Sequence, residues 1–218
     1  MIAALLLLAC APEPTPSASL AELEAEAPLV DVAVSPSGTS DVAPADRRPG
    51  RDRKRMDVDQ LSAAITQVAG GIAWTDGEGR AGADMFAELS ATLGKPDYSL
   101  STREDLAPSV IFSKFLNDAA MSVCTKLIEA EEDGADGAGT FLVDATLDDT
   151  LQTAPDAVED NIRRQLLRFH GRDLPPGDAE LDAWLWLWET VHARTGDTGT
   201  AWRAVCVGLV THPEFYTY

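Results

Sequence analysis

Between Pro108 and about Glu131, the residues Ile111, Phe112, Phe115, Leu116, Ala119, Val123 and Leu127 recur at intervals of three and four. That spacing puts them on one stripe of a helix, with Lys114, Asn117 and Lys126 off it. Pro108 suits a first helical turn, and the Gly/Asp-rich stretch 133–139 breaks the run. A stripe this long must be buried against other elements, and the chain from Met56 onward offers elements of the same kind. Asp57-x-x-Gln60 fits a capping box ahead of Leu61, Ala64, Ile65 and Val68, with Gly70-Gly71 as the stop, so a helix is expected over about 57–69. After a Gly- and charge-rich loop over 75–82, Met85, Phe86, Leu89 and Leu93 mark a second helix, ended by Gly94 before Pro96. Pro155 and Asp156 open another, with Val158, Ile162, Leu166 and Leu167 inward and Gly171 as its stop. Pro175-Pro176-Gly177-Asp178 starts a segment running to about Arg194, and a last helix opens near Thr200 with Trp202, Val205, Cys206, Leu209 and Val210 before Pro213. Phe141-Leu142-Val143 is too short to classify. No stretch alternates with period two, and no repeat of about 20–50 residues is visible. The pattern predicts an all-α fold: a single helical domain of about six helices over residues 56–218.

A chain of 218 residues holds one such domain and a tail. The tail is 10–50, where seven of the thirteen prolines sit among Ser, Thr, Ala and acidic residues. Such a stretch buries too little apolar surface to offset its ordering entropy, so it reads as a disordered tether with a reach of roughly 35 Å. The net charge is −19, and from Met56 onward there are 28 acidic against eleven basic residues. A body this acidic repels a phosphate backbone, which excludes sequence-independent nucleic-acid binding. The basic cluster Arg47-Arg48 and Arg51-Asp52-Arg53-Lys54-Arg55 lies at the junction. It reads either as a contact for anionic headgroups or an acidic partner or as a solvated linker end, and the linker end is the expectation.

Residues 2–9 form an unbroken apolar run ending at Cys10. It is far short of the roughly 20 residues a membrane-spanning helix needs, but has the size of a signal-peptide apolar region. Its end, Leu7-Leu8-Ala9-Cys10, with the small Ala9 before the cysteine, resembles the lipobox of bacterial lipoproteins. No Lys or Arg precedes the run, a departure from that pattern. The resemblance implies a signal peptide over 1–9, cleaved so that Cys10 becomes the acylated first residue. Attachment to the membrane would then run through the lipid anchor, with no transmembrane span. Without an acidic residue at position 11, it implies the outer membrane of the cell envelope.

If Cys10 is acylated, Cys124 and Cys206 remain on predicted helices of an exported chain. They are either a disulfide or two small buried hydrophobes that never meet. Trp184, Trp186 and Trp188 alternate with Leu185 and Leu187. On a helix, Trp184 and Trp188 share a side and Trp186 falls nearly opposite. The segment is then either the central helix, covered all round with Trp186 in the core, or Trp186 marks a patch facing a partner; the core placement is the expectation. Glu129-x-Glu131-x-Asp133-Gly134 has the opening of a calcium loop, but the twelfth position is Thr140, so a solvated helix end is expected. His170, His192 and His212 lack ligand spacing such as His-x-x-x-His, which supports no metal. Absence of Cys-x-x-Cys-His, a Gly-x-Ser-x-Gly elbow and a phosphate-binding glycine loop leaves no cofactor and no catalytic residue to name.

The tail from Trp202 through Cys206, Leu209 and Pro213 to Glu214-Phe215 resembles the closing helix of exported planctomycete-type families of unknown function, which often accompany cytochrome c domains. The resemblance covers a short part of the chain and implies an exported helical protein without a catalytic residue. Anchor, tether and missing catalytic signature point to a non-enzymatic assembly or interaction component of the envelope with a protein partner. The alternatives are an envelope glycan hydrolase using paired carboxylates and the Trp-rich segment, and an accessory of an exported redox or cytochrome system.

Overall fold

The computed structural model describes residues 54–77, 82–92, 95, 106, 109–134 and 138–218. They lie within the second of the two units into which the chain divides, Pro49–Tyr218. The expected signal peptide 1–9, Cys10, the tether 10–50 and the basic residues Arg47, Arg48, Arg51 and Arg53 fall outside the described residues, as do Leu93, Gly94 and Pro108.

Among the described residues the fold is all-α, with seven helices: α1 (Val58–Val68), α2 (Met85–Leu89), α3 (Val110–Asp133), α4 (Pro155–His170), α5 (Asp182–Thr195), α6 (Thr198–Thr211) and α7 (Pro213–Tyr216). A 3-10 turn, Ala179–Leu181, leads into α5. Local chemistry sets the ends. Asp57 accepts from the Gln60 N–H at 2.7 Å while the Gln60 side chain accepts from the Asp57 N–H at 3.2 Å, closing the capping box of α1. Ser109 caps α3, Pro155 occupies the first turn of α4, and Asp197 caps α6 through the Thr200 N–H at 2.8 Å. Gly134, Gly171 and Gly196 stop α3, α4 and α5 in the left-handed region, where a side chain would be strained.

The central element is α6, packed on α3 and α5 and burying Ala201, Trp202, Val205, Cys206, Leu209 and Val210. This corrects the expectation that α5 is covered all round. On α5 only Trp188 is fully buried, and Trp186 is 66% exposed. The reason is position: α5 lies mainly against α6, and among the described residues no helix packs over its opposite side. Ile111 and Leu167, assigned inward by their spacing, are likewise exposed. Aromatic rings pair edge-on inside an otherwise mostly aliphatic core. Trp202 meets Trp188 and Phe141 edge-on at 5.8 and 6.1 Å, and Phe141 meets Phe169 at 6.3 Å. Cys124 of α3 and Cys206 of α6 form a disulfide with Cα atoms 5.8 Å apart.

Residues 139–146 have neither helix nor strand and are held by side chains instead. The Glu131 carboxylate accepts from the Gly139, Phe141 and Leu142 N–H groups at 2.6, 2.8 and 3.1 Å. The buried Asn161 side-chain oxygen accepts from Val143 and Asp144, and the buried Gln165 amide donates to the Phe141 carbonyl. Glu131 therefore organises a loop at the end of α3, in a helix that continues through Asp133.

At the other end of the domain the chain enters beside its own C-terminus. Lys54 exchanges backbone hydrogen bonds with Tyr218, and the Met56 N–H donates to the Tyr216 carbonyl at 2.7 Å. Arg55 is 2% exposed, with its guanidinium 4.6 Å from the Phe112 ring centre. A solvated linker end was expected here. Cation–π contact and the clasp of the two chain segments draw Arg55 inside.

Candidate functional site

Four segments meet around a cavity of about 270 Å³ lined by Leu166, His170, Arg172, Leu174, Glu180, Trp184, His212 and Glu214. His170 is the last residue of α4, and the left-handed Gly171 turns the chain so that Arg172 follows it into the same space. Trp184 comes from the first turn of α5. His212 sits at the junction of α6 and α7, and Glu214 is in the first turn of α7.

The two imidazoles lie nearly face to face, with centres 4.8 Å apart and planes inclined by 31°. Trp184 covers both, its ring 5.8 Å from His170 and 6.1 Å from His212. This indole reaches them because Gly208 leaves space behind it: a Cβ there would stand 3.1 Å from the Trp184 ring. His170 Nε2 lies 3.0 Å from the Leu209 carbonyl oxygen, an acceptor, so Nε2 carries the proton and Nδ1 keeps its lone pair. His212 Nδ1 accepts from the Glu214 N–H at a long 3.3 Å. Burial pushes the His170 imidazole below its ordinary value, partly countered by the Leu209 hydrogen bond, while His212 pushes in the same direction as burial.

Arg172 joins the two carboxylates. Its Nε donates to Glu214 Oε2 at 3.0 Å and its Nη2 donates to Glu214 Oε1, while Nη1 donates to Glu180 at 3.1 Å. This fork holds the Glu214 carboxyl below the usual carboxylate range, chiefly through the hydrogen bonds from Arg172. One guanidinium between two carboxylates leaves the cavity with a net negative charge. Residues with one ligand-capable atom each, all within 4.8 Å of one another, are His170, His212 and Glu214.

The residues singled out from sequence are placed elsewhere. Trp186 is outside the cavity, on the exposed side of α5. Cys124 and Cys206 are buried in their disulfide between α3 and α6. Cys10 lies outside the described residues. The absence of His-x-x-x-His spacing hid His170 and His212, since the structure joins them across two helix ends. One signal was available: each histidine sits at a helix stop and is followed two residues later by a charge, Arg172 in one case and Glu214 in the other. The chain matches no known protein-family model, no curated protein and no solved structure.

Proposed function

We propose that this chain is an exported lipoprotein, anchored through an acylated Cys10 in the outer membrane, whose acidic helical domain is a non-enzymatic assembly or interaction component of the cell envelope. The observation that carries this reading is the Cys124–Cys206 disulfide between α3 and α6. Such bonds form and persist in oxidising compartments outside the cytoplasm. The segment Leu7-Leu8-Ala9-Cys10 supports the anchor, and no helix among the described residues is long and apolar enough to cross a membrane. Trp186 supports the interaction role, because an exposed indole is the kind of side chain that protein partners bury. The glycan-hydrolase reading finds Glu180 and Glu214 in one cavity, but it needs a carboxyl kept protonated near neutral pH. Arg172 drives Glu214 the other way. The test is replacement of Cys10 by Ser in the native host. Transfer of the protein from the membrane pellet to the soluble fraction is the expected result, and unchanged partitioning overturns the anchor.

A further inference from the structure

We propose that His170, His212 and Glu214 bind one divalent transition-metal ion of the Zn²⁺ class, with the adjoining cavity admitting water to the remaining coordination position. This goes beyond the tethering role and stands whether or not Cys10 carries lipid.

The donor set comes first. Two imidazoles and a carboxylate suit Zn²⁺ and its neighbours, whereas Mg²⁺ and Ca²⁺ prefer oxygen alone. The three ligand atoms lie within 4.8 Å of one another. A tetrahedral ion with bonds of about 2.0–2.1 Å holds its ligands roughly 3.3 Å apart, so closure needs side-chain adjustments of about 1 Å. The cavity of about 270 Å³ beside them has room for that and for water.

The surroundings are those that metal ligands use. His170 presents Nε2–H to the Leu209 carbonyl at 3.0 Å, which fixes the ring and turns Nδ1 into the free donor. Glu214 is gripped by Arg172 through both carboxylate oxygens and retains the outward lone pairs of each. A backbone carbonyl behind the histidine and a hydrogen bond to the carboxylate are the outer partners that orient ligands and raise their affinity. Arg172 does not repel the ion outright, because Glu180 and Glu214 together outweigh its charge. Coordination through His212 Nδ1 would displace the 3.3 Å contact from the Glu214 N–H, and coordination through Nε2 would leave it in place.

The test is Zn²⁺ titration of the purified full chain near neutral pH, followed by calorimetry and by the imidazole NMR signals. One ion per chain is expected, shifting the signals of His170 and His212 and leaving His192, on α5, unmoved. His170→Gln and His212→Asn are expected to weaken binding by more than about 100-fold, beyond the 10–100-fold typical of outer-shell changes. Asn is a good helix cap, so His212→Asn keeps the start of α7 while removing the ligand. With so acidic a chain, Mg²⁺ is the control, and its weak binding is expected to be the same in all three proteins. The proposal is overturned if the imidazole signals of the unmodified protein do not move, or if both variants take up Zn²⁺ as it does.

Discussion

Two positions separate Trp186 from Trp188, yet one indole is 66% exposed and the other is fully buried against Trp202. Truncating an aromatic in a packed core costs about 3–5 kcal/mol, a large share of a usual stability of about 5–15 kcal/mol. Trp188→Ala is therefore expected to lower the urea midpoint severely, while Trp186→Ala melts within about a degree or two of the unmodified protein, since an exposed side chain surrenders little on truncation. Equal losses in the two variants would show that the outer side of α5 is covered. Gly208 poses a different problem, because the ring of Trp184 fills the space a side chain would take. Gly208→Val forces α5 away from α6 and is expected to cost about 1–3 kcal/mol by overpacking, read from the same denaturation curves. It should also displace Trp184 from the imidazoles, a change visible in the indole fluorescence.

At the scale of elements, α6 draws stability from its N-terminal cap and from its middle. Asp197 caps it, and the Thr200 hydroxyl and N–H hold that carboxyl below the ordinary value. A carboxyl depressed on folding contributes stability that is complete above its unfolded pKa of about 3.9 and is lost as pH falls through the folded value. Asp197→Asn retains a capping side chain but no longer titrates. The expected outcome is similar stability at neutral pH and a shallower loss in acid, measured by thermal melts across pH; an unchanged acid slope would exclude Asp197 as a contributor. In the middle, the disulfide closes a sequence separation of 82 residues. On the chain-entropy account, the double replacement Cys124→Ala with Cys206→Ala is expected to cost about 4 kcal/mol, and a reductant should do the same to the unmodified protein. The loop 139–146 depends on side chains of α3 and α4, Glu131 from the first and Asn161 and Gln165 from the second. Asn161→Ala strips the Val143 and Asp144 N–H groups of their acceptor and is expected to cost about 1–3 kcal/mol, with faster hydrogen exchange confined to that loop.

For the whole domain the decisive feature is that its first described residues pair with its last. Lys54 and Met56 bond to Tyr218 and Tyr216 across the clasp, and the buried Arg55 stacks on Phe112 of α3. A chain starting at Met56 loses the guanidinium and the two Lys54–Tyr218 backbone bonds together. It is expected to unfold at lower temperature than one starting at Pro49, and equal melting would show that the clasp adds nothing. The same geometry places the boundary of a protease-resistant core at or before Lys54, ahead of the Met56 suggested by composition.

Much of the architecture was readable from residue order, since it depends on interactions within a few residues. The Asp57–Gln60 box, Pro155 and the stop at Gly171 define α1 and α4 to within a residue or two, whereas α2 ends at Leu89, short of the expected Leu93, and α5 starts only at Asp182. Which side of each helix is covered depended on neighbours far along the chain. Periodicity puts Trp184 and Trp188 together and Trp186 opposite, but only the packing of α5 against α6 decides that the opposite side faces solvent. Composition made Arg55 a linker residue, and only its placement over Phe112 buried it. The cavity belongs to the same class. Arg172 and Glu214 stand 42 positions apart, and no local rule relates them. Short-range chemistry settled where helices begin and end. Long-range packing brought a histidine from each of two helix ends to the same guanidinium-held carboxylate.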